Sequence, residues 1–196
     1  NMVPFAIVLG DHDSSGTYGF GAVMGSKKLK AIAVRGRGKA TAANPERFLE
    51  LGKYVRELKK GHEIRSGASI HEQRMSQYAS KMKKDLCYGC IGACTRTTYQ
   101  ASDDTTGKFM CLPAGRLYHD LAHSYYGEYN DVPFFAARLC NSYGLDADVV
   151  YTTIMWLSRC RHTDILTDEN TGIPLSKMGS LEFIETLVRK ISLRDG

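Results

Sequence analysis

Three cysteines fall within one short stretch, Cys87-Tyr88-Gly89-Cys90-Ile91-Gly92-Ala93-Cys94, with the spacing C-x-x-C-x-x-x-C. A loop of this kind turns three thiolates inward, and Gly89 and Gly92 permit the sharp bends this needs. Its backbone amides can donate to the sulfides of an iron–sulfur cluster and stabilise the reduced state. A cubane takes four thiolates, so the fourth is Cys111, Cys140, Cys160 or a residue outside this sequence. Zinc sites usually pair one C-x-x-C with a second, or with two histidines, and no second pair stands here. Zinc and three idle thiols are the competing readings, and iron content separates them. Tyr88 is expected to pack over the loop.

Cys111 stands in Lys108-Phe109-Met110-Cys111-Leu112-Pro113. A thiolate there is a soft anionic ligand suited to a late, sulfur-bound metal. The alternative is a buried small side chain, which free cysteine often is. His119 and His123, four residues apart, share one side of a possible helix and offer proton donors near a metal. A surface or core placement competes with that role. Cys140 and Cys160 lie on apolar helical faces and are expected in the core.

A second concentration of chemistry lies upstream, in Ser15-Gly16-Thr17-Tyr18-Gly19-Phe20-Gly21 and Ala22-Val23-Met24-Gly25-Ser26-Lys27. Glycines at this density let backbone amides approach an anionic ligand such as a phosphate. A tight strand connection with Ser26 and Lys27 on the surface is the plainer reading.

The elements that must position these groups follow from periodicity and punctuation. Residues 3–9 and 29–34 read as strands flanking the glycine-rich segment. Asn44-Pro45-Glu46 is a helix start, because Asn caps, Pro suits the first turn and Glu favours the positive dipole end. Phe48, Leu51, Val55 and Leu58 then recur at helical spacing, with Gly61 as the stop. Asp131 or Asn130 caps a helix striped by Phe135, Leu139 and Tyr143, with Gly144 just past its end. Val150, Ile154 and Leu157 mark the next helix. Residues 164–177 read as a loop, and Ser180 opens a last helix striped by Leu181, Ile184, Val188 and Ile191. The fold class is mainly α: a multi-helical domain preceded by the β-strand-containing tail of an N-terminal cofactor-binding domain. The boundary falls near Gly38.

Composition narrows the class. The chain has 196 residues, 43% of them apolar and 24% charged, as in an ordinary globular protein. No apolar run reaches the length of a membrane span, and the first residues lack a secretory leader. Both ends read as cuts through a longer protein. The net charge is +5, but the basic residues between Lys27 and Lys84 interleave with apolar ones at helical spacing and no aromatic stacking platform joins them. A solvated helix face is the better reading than a nucleic-acid surface. An anionic substrate or a small acidic redox partner fits the charge. Three clustered and three dispersed cysteines in a chain with an ample apolar core suit a reducing, cytoplasmic compartment with metal-bound thiolates rather than a disulfide framework.

Two segments resemble a known family. Gly19-Phe20-Gly21-Ala22-Val23-Met24-Gly25-Ser26-Lys27-Lys28-Leu29-Lys30-Ala31-Ile32-Ala33-Val34 is similar to a motif of the aldehyde ferredoxin oxidoreductases, whose usual form reads G-G-x-G-A-V-M-G-S-K-N-L-K-A-I. Asn141-Ser142-Tyr143-Gly144-Leu145-Asp146 resembles the family's pterin-binding motif D-x-x-G-L-D, with Asn141 in place of the first Asp. The cysteine loop lies between them, as in the family. The resemblance implies tungsten, or more rarely molybdenum, held between two pyranopterins whose phosphates are bridged by magnesium, with a 4Fe–4S cluster nearby. It implies that residues 1–38 end an N-terminal pterin-binding β domain, and that 39–196 form incomplete α-helical domains carrying the iron–sulfur and pterin motifs.

The resemblance further assigns Gly19, Gly21, Ala22, Gly25, Ser26, Lys27, Asn141, Gly144, Leu145 and Asp146 to the cofactor. Asp146 is suited to accept hydrogen bonds from pterin N–H groups, and its competing role is the N-cap of the following helix. Cys87, Cys90 and Cys94 are assigned to the cluster. Cys111 departs from aldehyde-oxidising members, where a glutamate reaches the tungsten site, and resembles the tungsten subunit of class II benzoyl-CoA reductases, where a cysteine ligates the metal. The implied activity is low-potential oxidation of an aldehyde to a carboxylic acid, with ferredoxin or an iron–sulfur partner subunit taking the electrons. Reduction of an aromatic acyl-CoA is the alternative, and a non-catalytic iron–sulfur electron-transfer module is a second. The full-length protein is expected to be oligomeric, and this stretch alone is not expected to turn over.

Overall fold

A computed structural model describes residues 3–10, 14–38, 41–60, 76–85, 96–110 and 118–195. The architecture is mainly helical with two small antiparallel sheets. β1 (Val8–Gly10) and β2 (Ser14–Gly16) form a hairpin, followed by the short helix α1 (Phe20–Ser26). The long helix α2 (Pro45–Lys60) comes next. A 3-10 turn (Ser76–Lys81) leads into a three-stranded sheet of β3 (Met82–Lys84), β4 (Thr97–Gln100) and β5 (Thr106–Met110). The helices α3 (His119–Tyr126), α4 (Val132–Ser142), α5 (Ala147–His162), α6 (Asp168–Thr171) and α7 (Leu181–Leu193) complete the described chain. No helix among the described residues is long and apolar enough to cross a membrane.

The principal core lies among α3, α4, α5 and α7. Cys140, Val150, Ile154, Phe183, Ile184 and Val188 are all fully buried there. Burying each of the large aliphatic or aromatic members stabilises the fold by roughly 1.5–3 kcal/mol against leaving it exposed. The caps fix where these helices begin. Ser180 Oγ accepts from Phe183 N at 3.1 Å, and Asn44 Oδ1 accepts from Arg47 N at 2.9 Å. At α4 the capping acceptor is Asn130 Oδ1, 3.0 Å from Val132 N.

That frees Asp131 for tertiary work. Its carboxylate accepts from Lys81 Nζ at 2.8 Å, from Ser102 N at 2.9 Å and from the Tyr99 hydroxyl. Burial works against ionisation of Asp131, yet these donors outweigh it and hold the carboxyl well below the usual carboxylate range. The 3-10 turn, the β4–β5 turn and the start of α4 are thereby tied at one point. Beside it lies a second, aromatic core in which the Tyr99 ring is 4.9 Å from both Phe109 and Phe134. Burial, then the nearby Tyr129 and Asp131, push the Tyr78 hydroxyl up to about 12.

Several local expectations need correction. The strand expected over residues 3–9 is regular only from Val8, although Ala6 makes an isolated bridge to Leu145. Residues 29–34 form no strand; Ile32 and Val34 are 69% and 89% exposed, with no neighbouring strand to pair with among the described residues. The glycine-rich segment contains a helix rather than loop alone. The sheet of residues 82–110 was not expected at all, although Thr97-Thr98-Tyr99 and Phe109 around an Asp-rich turn carry strand chemistry. In α4 the fully buried positions are Pro133, Phe134, Ala136, Ala137 and Cys140, while Phe135, Leu139 and Tyr143 are partly buried. That helix packs between two cores, so its buried face is wider than a single stripe. Residues 164–177 hold α6 and a 3-10 turn, not an unstructured loop. Gly61 lies outside the described residues.

Candidate cofactor site

The N-terminal segment is zipped onto the turn between α4 and α5. Ile7 N donates to Gly144 O at 2.9 Å and Asp146 N to Phe5 O at 3.1 Å, either side of the Ala6–Leu145 bridge. Gly144 takes φ 67°, the left-handed turn that ends α4. On the other side of the same segment, Gly21 N donates to Ala6 O at 2.9 Å. A Cβ at Gly21 would lie 2.2 Å from Ile7 O, so only glycine lets α1 come this close. Residues 5–7 are thus held between α1 and the Asn141–Asp146 turn.

Asp146 closes this arrangement. It is 2% exposed. Its Oδ1 accepts from Asp148 N at 3.0 Å, capping α5, and its Oδ2 accepts from Tyr18 N at 3.1 Å. Both carboxylate oxygens therefore hold backbone, one within its own helix and one from the glycine-rich segment. Leu145 is fully buried behind them.

A cavity of about 780 Å³ opens where these segments meet, lined by residues that include Ile7, Gly21, Gly25, Lys28, Lys30 and Gly144. That size suits a small-molecule cofactor. Of the residues expected to bind cofactor, Gly21, Gly25 and Gly144 line this cavity. Gly19 is buried at φ 83°, against Pro4 O. Ala22 and Asn141 are half-buried, with Asn141 O accepting from Gly144 N at 3.0 Å. Ser26 and Lys27 are exposed, and Ser26 Oγ donates to Val23 O at 2.8 Å. Lys28 and Lys30, both exposed, also line this cavity; neither was singled out from sequence, where Lys30 stood in the expected strand and Lys28 just before it. The lining, two lysines beside glycine backbone, fits an anionic phosphate ester.

Cys87, Cys90, Cys94 and Cys111 lie outside the described residues, but their flanks do not. β3 and β4 pair in antiparallel register, Lys84 opposite Thr97, on either side of the cysteine segment. Next to them Arg96 Nε donates to Asp85 Oδ2 at 2.7 Å and Asp85 N to Arg96 O at 3.2 Å. The Arg96 side chain is only 4% exposed. Thr97 also pairs with Met110, the residue before Cys111. One end of the sheet therefore carries both attachment points of the Cys87–Cys94 segment and the entry to Cys111.

The two histidines part company. His119 is buried, edge-on to Tyr78 with ring centroids 4.6 Å apart and 6.0 Å from Phe109. His123 is exposed and lies over Tyr129 at 4.4 Å. Cys140 is fully buried at the centre of the principal core, and Cys160 is half-buried on α5.

Residues 41–196 match the family model described as aldehyde ferredoxin oxidoreductase, domains 2 and 3, and residues 1–36 match that of the N-terminal domain of the same enzymes. The chain belongs to the aldehyde ferredoxin oxidoreductase family. It is 27% identical to the tungsten-containing aldehyde ferredoxin oxidoreductase of Thermococcus kodakarensis over 99% of its own length and 37% of that protein's. It is 26% identical to the enzymes of the same name from Pyrococcus abyssi and Pyrococcus furiosus, over the whole chain and 38% and 37% of those proteins. The chain thus spans well under half the length of these relatives.

Proposed function

We propose that this chain is part of a tungsten–pterin, iron–sulfur oxidoreductase that converts an aldehyde to a carboxylic acid and passes the electrons to ferredoxin or an iron–sulfur partner subunit in the cytoplasm. The observation that carries this reading is the convergence of two widely separated family motifs on one cavity, through residues 5–7. Residues 1–38 contribute the end of the N-terminal cofactor domain, and 39–196 contribute helical domains that complete the wall.

In this reading Gly21, Gly25 and Gly144 let the cofactor approach the backbone, and Asp146 sets the spacing of the two motifs by holding Tyr18 N and Asp148 N together. A tungsten pterin with its magnesium, held there, would supply the two-electron chemistry. Cys87, Cys90 and Cys94 would hold a 4Fe–4S cluster able to take singly the two electrons that aldehyde and water release, with three protons, on becoming carboxylate. Asp85 and Arg96 hold the two ends of that cysteine segment together. His119, packed in the aromatic core, and His123, exposed over Tyr129, are not among the residues that line this cavity, so the proton-donor role expected of them carries no part of this reading.

Cys111 sustains a second reading, reduction of an aromatic acyl-CoA, because a thiolate is a softer metal ligand than a carboxylate. Anaerobic expression of the full-length protein decides between them. Aldehyde-dependent reduction of a viologen dye supports the first reading. Inactivity with aldehydes, together with dye-driven reduction of an aromatic acyl-CoA, replaces it with the second.

A further inference from the structure

Arg96 and Lys108 are both buried near one end of the three-stranded sheet, at 3% and 5% exposure. Side chains alternate along a strand, and Tyr99 points into the aromatic core, so Arg96 and Thr98 belong to the other face. Lys108 stands opposite Thr98 in the ladder and shares that face. Arg96 is matched by Asp85, whose Oδ2 accepts from its Nε at 2.7 Å. Burying the Lys108 ammonium is costly, and proteins retain such a group where anions lie close enough to repay it. Two residues beyond Lys108, Met110 pairs with Thr97 at the end of the sheet where the Cys87–Cys94 segment attaches. That row is about 7 Å further along the strand. Cys111 follows Met110 directly. The anionic groups that the chain gathers at this end are therefore thiolates.

We propose that Lys108 tunes the iron–sulfur cluster of the Cys87–Cys94 segment, its buried charge stabilising the reduced state and so raising the reduction potential. The inference rests on the cluster reading above and deepens it. When one electron enters the cluster its charge falls by one, and the ammonium stays protonated, with no bond made or broken. Net charge around a cluster is among the factors that set its potential, and a buried charge is screened far less than an exposed one. Lys108 acts through this field and touches neither iron nor substrate. Its effect is to keep the cluster an acceptor for electrons released at the aldehyde.

The test uses full-length protein purified without oxygen: wild type, Lys108→Met, Lys108→Arg, and Lys84→Met as an exposed control at the same end of the sheet. Stepwise reduction followed by the paramagnetic signal of the reduced cluster gives the midpoint potential, and iron content is measured alongside. Met keeps the apolar stem of lysine and removes the charge. Lys108→Met should make reduction about three- to tenfold less favourable, a midpoint about 30–60 mV lower at 59 mV per tenfold for one electron. Lys108→Arg should keep the wild-type midpoint. Lys84→Met should keep it too, because that charge is solvated and screened. A Lys108→Met midpoint equal to or above that of wild type, at full iron loading, overturns the proposal. So does a lowered midpoint that Lys108→Arg shares, since that reports a disturbed structure rather than a lost charge. Where Lys108→Met fails to hold iron, Lys108→Gln, with a neutral polar tip, gives the same reading. A wild-type protein with no reducible iron–sulfur signal overturns the cluster reading itself, which is a different result.

Discussion

Asp146 Oδ2 accepts a hydrogen bond from Tyr18 N at 3.1 Å, joining residues 128 positions apart in the chain. The same carboxylate caps α5 through Asp148 N. One side chain therefore sets both where a helix of the principal core begins and where the glycine-rich segment sits relative to it.

Removing this carboxylate has a separable structural and chemical consequence. Asp146→Ala loses the cap and leaves the Tyr18 amide without its acceptor, a combined cost of about 2–4 kcal/mol. Asp146→Asn keeps a capping oxygen and should cost less than half as much, since Asn caps as well as Asp does. Thermal unfolding of the three proteins checks the order. Should Asp146→Asn match the wild type in stability yet lose bound pterin, the carboxylate has a direct role toward the cofactor as well.

Asp131 should make the fold sensitive to acid. Its carboxyl is held below the ordinary value, so the stabilisation it provides is complete above that ordinary value and is lost as pH falls through the lowered one. The melting temperature of wild type should fall between about pH 5 and pH 2 by more than that of Asp131→Asn, which already lacks the ionic contacts at neutral pH. Parallel melting curves for the two proteins across that range would contradict the assignment.

The two cysteines of the helical core should differ sharply in reactivity. Burial pushes the Cys140 thiol up to about 12 and denies reagent access. Under native conditions iodoacetamide should label Cys160 and spare Cys140, and denaturant should abolish the difference. Mass spectrometry of the labelled peptides reads this directly. Early labelling of Cys140 would mean that the α4–α5–α7 core opens readily.

Most helix boundaries are legible in the sequence because caps act locally. Asn44, Ser180 and Gly144 each act within a few residues of themselves, and each is found where its type and position indicate. The buried stripe of α5, Val150, Ile154 and Leu157, is legible for the same reason, since that helix has one dominant buried face. What escaped the sequence depends on distant partners. The β3–β4–β5 sheet exists because Tyr99 and Phe109 find Phe134 on α4, and α4 turns two faces inward for that reason. Residues 29–34 have strand chemistry but lack a partner strand among the described residues. In the cofactor site the motif residues were legible as types. Which of them face the cavity is decided by how Gly21 seats α1 against Ile7, a contact with no sequence periodicity.

The pair at the base of the cysteine segment should matter for iron. Arg96→Met leaves Asp85 without the guanidinium that holds it across the hairpin, while keeping much of the buried side-chain volume. In the full-length protein this variant should lower iron content and weaken the reduced-cluster paramagnetic signal, with tungsten content less affected. Full iron loading in Arg96→Met would show that the hairpin alone suffices to hold the segment.

The central claim is that the two converging motifs enclose a tungsten–pterin cofactor. The most direct measurement is the tungsten and pterin content of anaerobically purified full-length protein, compared with a variant in which Gly25→Phe adds bulk at the cavity wall, at a helical position with no left-handed φ. The wild type should carry tungsten and pterin in stoichiometric proportion to polypeptide, and the folded variant should carry neither while retaining cluster iron. A wild-type protein that is fully folded and iron-loaded but free of tungsten, molybdenum and pterin would contradict it.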